Sequence, residues 1–124
     1  MSMSNITLLD EAFVDRKSYS DVISLAVKII KQVKAKEFLV ADATGYRSIE
    51  LRGTVINQHK KNLREQNYVK IELATVDIIK QKIFLSTKTK IINIREFQVD
   101  ETKPAKVCIY PFTINKMNYK RINT

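Results

Sequence analysis

The chain has 124 residues, the length of one domain and enough to bury a single core. A hydrophobic fraction of 44%, with only two glycines and two prolines, excludes collagen-like and low-complexity chains. The formal net charge of +9 points to a polyanionic partner, of which nucleic acid is the commonest, and the single cysteine excludes an internal disulfide.

Residues 1–19 are mixed, with apolar patches at Ile6, Leu8 and Leu9 and at Phe13 and Val14. They are expected to form an extension that packs on the core. Asp10, Glu11 and Asp15 make this end polar and acidic, unlike a secretion signal, and no stretch approaches the length of a membrane span. The expectation is a nuclear or cytoplasmic protein with no membrane partner.

Residues 21–36 carry two periodicities at once. Val22, Leu25, Ala26, Ile29, Ile30 and Val33 fall at helical spacing, while Ile23, Leu25, Val27 and Ile29 alternate strictly. The β-branched residues are stiff at χ1 and suit a pleated strand, so the reading is a long, bent first strand. Residues 38–53 then read as a hairpin. Phe38 to Ala41 form a second strand, and Asp42, Thr44 and Gly45 supply turn chemistry. Ser48 to Arg52 alternate as a third strand.

Thr54 to Gln66 changes character: Val55, Ile56, His59 and Leu63 share one helical face. Thr54 is a candidate N-cap and Asn67 a candidate C-terminal left-handed residue, so a short helix is expected, with His59 at the surface. Val69, Ile71 and Leu73 alternate with Tyr68, Lys70 and Glu72 as a fourth strand, which Val76 to Ile79 extend or turn. Ile83, Leu85 and Thr87 alternate with Phe84, Ser86 and Lys88 as a fifth. Residues 98–124 form an extension. Within it Val107 to Ile114 is apolar and β-prone, and suits either packing on the barrel or strand addition to a partner.

The ordered set of Ala41-Asp42-Ala43-Thr44-Gly45, Ile49-Glu50-Leu51-Arg52-Gly53, Asn67-Tyr68-Val69-Lys70-Ile71 and Ile83-Phe84-Leu85-Ser86-Thr87 resembles the oligonucleotide/oligosaccharide-binding (OB) fold of the replication protein A and telomere-capping type. The resemblance covers residues 20–97. It implies an all-β chain with one short helix: a five-stranded Greek-key barrel, the helix between strands three and four, and an extended C-terminal tail. It also implies single-strand binding across strands two and three, flanked by the loops joining strands one to two and four to five. Members often carry an aromatic just before the glycine ending strand three, where this chain has Arg52. Arg47 stands where an inward apolar residue is usual.

Mapped onto this chain, the resemblance implies phosphate contacts and stacking by Lys34, Lys36, Phe38, Tyr46, Arg47, Arg52, Lys70, Lys82, Phe84 and Lys88. A basic groove would follow the phosphates while flat side chains stack on bases, and a guanidinium plane can serve as one. Glu50 and Glu72 are expected to point outward with them and to repel phosphate. One histidine and one cysteine do not make the usual zinc sets, and neither a phosphate loop nor a hydrolase motif is present. No cofactor, metal or catalysis is expected. The readings are a single-stranded DNA- or RNA-binding subunit of a larger complex, or a structural OB subunit. Its protein partner would be met by Val107 to Ile114 or by a barrel edge.

Overall fold

The computed structural model describes residues 6–13, 20–53 and 58–105. Six strands follow in order: β1 Ser20–Lys34, β2 Glu37–Asp42, β3 Gly45–Leu51, β4 Tyr68–Asp77, β5 Lys82–Leu85 and β6 Lys90–Asn93. β1 pairs with β2, β2 with β3, β3 with β5, β5 with β4, and β4 returns to β1, which closes a ring of five strands. Within this ring the β3–β5 pairing alone is parallel, through Glu50 with Phe84 and Leu51 with Leu85. That ring with one parallel seam is the OB-type barrel. β6 continues along the same edge of β4 as β5, pairing from Val69 with Asn93 to Glu72 with Lys90.

β1 is the long, bent strand that its double periodicity suggested. Ile23, Leu25, Val27 and Ile29 face the core. Register shifts between Ile29 and Lys31 and between Gln32 and Lys34 bend the strand where it passes from β4 to β2. A further irregularity, between Ile23 and Leu25, lies opposite the stretch of β4 that holds Leu73 at φ 62°. Bulges of this kind re-aim side chains and add twist, which a small barrel needs to close.

The core is filled by alternate residues of each strand, among them Val40, Ile49, Ile71, Ile83 and Leu85. Segments outside the ring help complete it, through Leu63, Ile78 and Ile91 among others. A 3-10 turn at Leu9–Glu11 sends Leu9, Ala12 and Phe13 into the core. From the other direction Ala105 is buried in the same cluster.

The Asp-Ala-Thr-Gly turn joins these parts. Asp42 Oδ1 accepts from the Thr44 N–H at 2.8 Å and the Thr44 hydroxyl at 2.6 Å. Its Oδ2 accepts from the Leu9 N–H at 2.8 Å, so one buried carboxylate shapes the turn and anchors the N-terminal segment. Gly45 has φ 134°, and a Cβ there would lie 2.6–2.8 Å from backbone atoms of Lys103, Pro104 and Ala105. Glycine is required both by conformation and by close approach.

Between β3 and β4, residues 58 and 59 are helical and Leu63 donates its N–H to the His59 carbonyl at 3.0 Å. The start of the expected helix, Thr54 to Asn57, lies outside the described residues. His59 is buried rather than at the surface, its Nε2 donating to the Thr89 carbonyl at 2.9 Å. Asn62 Nδ2 donates to the Ile91 carbonyl, so the turn is stitched to the loop after β5 and to β6. Helical periodicity placed His59 with Leu63. The neighbouring lysines made that face look polar, but Lys60 and Lys61 lie outside it and are exposed.

Candidate nucleic-acid interface

The outer surface of the β3–β5 seam carries the most distinctive side chains. On β5, Ile83 and Leu85 enter the core while Phe84 faces outward. Phe84 is nevertheless only 5% exposed, because the Arg52 guanidinium lies 3.6 Å above its ring centre. The backbone sets this up: the Arg52 N–H donates to the Leu85 carbonyl at 2.9 Å, carrying the β3–β5 ladder one residue past the strand end. Arg52 itself is exposed. Cation and ring form one flat, layered feature that offers a guanidinium face to solvent.

Beside it lies the loop between β1 and β2. The strand runs on through Lys34, so the connection is a two-residue turn at Ala35 and Lys36. The Leu51 N–H donates to the Lys36 carbonyl, which places this turn directly across β3 from Arg52's ladder bond. Lys31, Lys34 and Lys36 are all exposed, and Lys34 stands 4.0 Å from Glu37. On the far side, Lys88 is exposed in the loop after β5, whose Thr87 carbonyl accepts from Gln58 Nε2. Lysines of the β1–β2 turn, the Arg52–Phe84 stack and Lys88 therefore follow one another around one end of the barrel.

A groove of about 360 Å³ opens next to this belt, at the seam between β3 and β5. Ser48, Glu50, Lys82 and Ile83 line it, with Lys34 and Glu37 at one end. The β4–β5 turn contributes Lys80 and Gln81, and Arg47 also lines it. Lys82 and Glu50 pair across the seam at 2.8 Å, and the pair holds the Lys82 ammonium above its ordinary pKa, chiefly by that hydrogen bond.

Several residues expected at the interface are elsewhere. Phe38 is 3% exposed and belongs to the core, so it is not a stacking surface. Lys70 is buried on the outer side of β4 and held by Glu72 at 3.2 Å, so it is not available to phosphate. Arg47 faces inward, its guanidinium 4.6 Å above the Phe13 ring, and burial lowers its pKa from the usual arginine value. Tyr46 is half-buried, and its backbone is engaged by the tail. Glu50 and Glu72 do face outward, but each neutralises a lysine of the expected set.

Sequence reasoning missed a strap. After β6 the chain crosses the outside of the barrel toward the β2–β3 turn. Phe97 packs edge-on against Tyr68 at 5.3 Å, and Glu101 pairs with Lys28 at 2.6 Å. That contact, mainly its hydrogen bond, raises the Lys28 pKa. The Asp100 N–H donates to the Asp42 carbonyl, and residues 103–105 then run parallel to β3, bridging at Tyr46 and Pro104. The strap covers the Tyr46 end of the β2–β3 face, and none of its described residues reaches the Glu37–Glu50 end. The signal was Pro104 beside Asp100 and Thr102, a turn sequence too short to reveal its destination. Val107 to Ile114 lies outside the described residues.

No protein-family model matches the chain, and no curated protein does. Solved structures do. The Ifi202 HINa domain in complex with 20-bp double-stranded DNA is 9% identical over 64% of this chain and 47% of that one, with a TM-score of 0.49. A structure described as structural mimicry for functional antagonism is 10% identical, covering 86% of this chain and 60% of that one, with a TM-score of 0.51. The likeness is one of fold. This chain spans about half to three fifths of the length of the structures it matches. Among the described residues, no helix is long and apolar enough to cross a membrane.

Proposed function

We propose that this barrel binds single-stranded nucleic acid as a non-catalytic subunit of a nuclear or cytoplasmic complex, in the manner of OB domains of the replication protein A and telomere-capping type. One observation carries the reading: the Arg52–Phe84 stack sits on the outer face between the exposed lysines of the β1–β2 turn and Lys88. Bases stack on flat surfaces with little sequence preference, while ammonium groups on either side contact phosphates and release counterions. The working set is Lys34, Lys36, Arg52, Phe84 and Lys88, with Lys82 contributing when it leaves Glu50.

The strap favours a second reading, in which the barrel is chiefly a protein-binding subunit. It covers part of the surface where OB domains usually lay a strand, and it brings residues 103–105 beside β3. The two readings separate in one experiment. Fluorescence anisotropy with labelled single-stranded DNA and RNA oligomers at two salt concentrations is expected to show salt-dependent binding. Arg52→Ala is expected to weaken it by roughly tenfold, since stacking contributes about 1–3 kcal/mol per base. Salt-dependent binding that Arg52→Ala leaves unchanged moves the site elsewhere on the basic surface. Absence of binding at low salt refutes the nucleic-acid reading and leaves the protein-binding one.

A further inference from the structure

Three lysines of β1 stand in a line that strand periodicity alone does not give. Lys28, Lys31 and Lys34 are three residues apart, and a regular strand would turn the middle one to the opposite side. The two register shifts correct this: Lys28 lies opposite Ala41, Lys31 opposite Leu39 and Lys34 opposite Glu37. Those β2 residues alternate with Phe38 and Val40 of the core, so all three lysines belong to the outward side. Each step is two residues of β2, roughly 7 Å, close to the step between phosphates of an extended single strand.

Lys31 and Lys34 are exposed, but Lys28 is occupied. Its side chain is only 14% exposed, and Glu101 of the strap pairs with it at 2.6 Å. Tyr68 stands directly opposite Lys28 on β4, with its ring centre 5.7 Å from the same ammonium. Phe97 of the strap packs edge-on against that ring at 5.3 Å. The strap thus sets a carboxylate on the lysine and an aromatic ring against the tyrosine. A nucleotide makes the same two kinds of contact, with its phosphate and its base.

The middle of the strap is held lightly. Among the described residues, 95–99 make no backbone hydrogen bond. The chain is tied on either side, by the Ile94 N–H to the Tyr68 carbonyl and by the Asp100 N–H to the Asp42 carbonyl, and residues 103–105 are fixed beside β3. Between Arg95 and Lys103 the strap carries Arg95 and Lys103 against Glu96, Asp100 and Glu101, a formal 2 − 3 = −1 on a chain of +9. An ion pair between partly exposed side chains is weak, so a phosphate can take the place of Glu101 at little cost. The ties on either side keep the displaced segment close to its site.

We propose that the strap is an internal competitor of the nucleic acid: Lys34, Lys31 and Lys28 form one line of phosphate contacts ending at the Tyr68 ring, and Glu101 and Phe97 close its last site until a strand displaces them. The proposal rests on the nucleic-acid reading above. The test compares the full chain with its variants by anisotropy of labelled single-stranded oligomers. Glu101→Gln and Phe97→Ala should each tighten binding about two- to fivefold, the range that a partly exposed ion pair allows. Glu65→Gln makes the same charge change at an exposed side chain of the β3–β4 connection and should alter affinity less. Lys28→Gln should cancel the gain of Glu101→Gln.

A wild type that binds, with Glu101→Gln and Phe97→Ala of unchanged affinity, would overturn the competitor and leave the belt intact. Equal tightening by Glu101→Gln and Glu65→Gln would make the gain one of net charge and overturn the proposal as well. Binding by none of the proteins would overturn both readings. Amide exchange tests the unaltered chain. A saturating oligomer should speed exchange of the Asp100 amide, while the Tyr46 and Ala105 amides keep their protection. An Asp100 amide equally protected with and without bound oligomer would refute displacement of the strap.

Discussion

Gly45 and Gly53 both have positive φ, but only one is pressed against another segment, and the contrast makes a sharp test of the strap. Gly53 has φ 64° and open space where a Cβ would go. Alanine there pays only the left-handed backbone cost, about 1 kcal/mol. Gly45 has φ 134°, outside even the left-handed well, and its Cβ would lie 2.6 Å from the Ala105 nitrogen and 2.7 Å from the Lys103 oxygen. Because these are backbone atoms, the strap must move away. The backbone strain costs about 1–3 kcal/mol. Two strap hydrogen bonds, Tyr46 N–H to Lys103 O and Ala105 N–H to Tyr46 O, are then lost or stretched, at about 1 kcal/mol each. Exposure of Ala105 adds to this, so Gly45→Ala should cost roughly 3–5 kcal/mol against roughly 1 for Gly53→Ala. Urea unfolding gives both values, and hydrogen exchange should show the Tyr46 and Ala105 amides losing protection only in Gly45→Ala. Equal costs for the two variants, or a Gly45→Ala variant with those amides still protected, would refute the strap contact.

The two phenylalanines of the sheet should respond differently to truncation. Phe38→Ala removes a core side chain and should destabilise by about 3–5 kcal/mol in urea unfolding, with little change in oligomer affinity of the folded fraction. Phe84→Ala should weaken binding together with Arg52→Ala and non-additively, because ring and guanidinium act as one unit in a double-mutant cycle. His59→Ala leaves the buried Thr89 carbonyl without its donor and should lower stability by about 1–3 kcal/mol, read as a shifted urea midpoint. The strap should also be pH-sensitive at both extremes. Asp100 is held below its ordinary value of 3.8 by hydrogen bonds from Thr102. Its contribution is complete above pH 3.8 and fades as pH falls through the lower folded value. Lys28 is raised above 10.5, so its pair with Glu101 contributes fully below that pH and is lost as pH rises through the higher folded value. Hydrogen exchange at the strap amides, corrected for intrinsic rate, is expected to show a plateau between these limits. A strap whose protection is constant from pH 2 to 12 would contradict this account.

Much of the barrel was legible residue by residue. Alternation marked the strands, and Asp42, Thr44 and Gly45 marked the turn, because hydrogen bonding by an Asp side chain and the freedom of glycine are local properties. The long β1 was legible too, in the strict alternation of Ile23, Leu25, Val27 and Ile29, which are its buried residues, whereas Val22 and Val33 of the helical spacing are exposed. The candidate site was legible only in part. Arg52 and Phe84 were singled out as outward candidates, but so was Phe38, and period 2 separates two faces without saying which is inside. Lys70 read as an outward cation, and it does face outward, yet its burial and its pairing with Glu72 follow from how neighbouring strands flank it.

Sequence by itself therefore determined the local conformations, the charge and the absence of an internal disulfide, all properties of residues and their near neighbours. Tertiary structure alone decided which phenylalanine is covered by Arg52, that His59 is buried against Thr89, that residues 103–105 return to β3, and that Arg47 turns inward over Phe13. Each of these depends on contacts between segments thirty or more residues apart. The physical reason is that burial and pairing at such separations are fixed by ring closure of the sheet, and no periodicity along the chain encodes them.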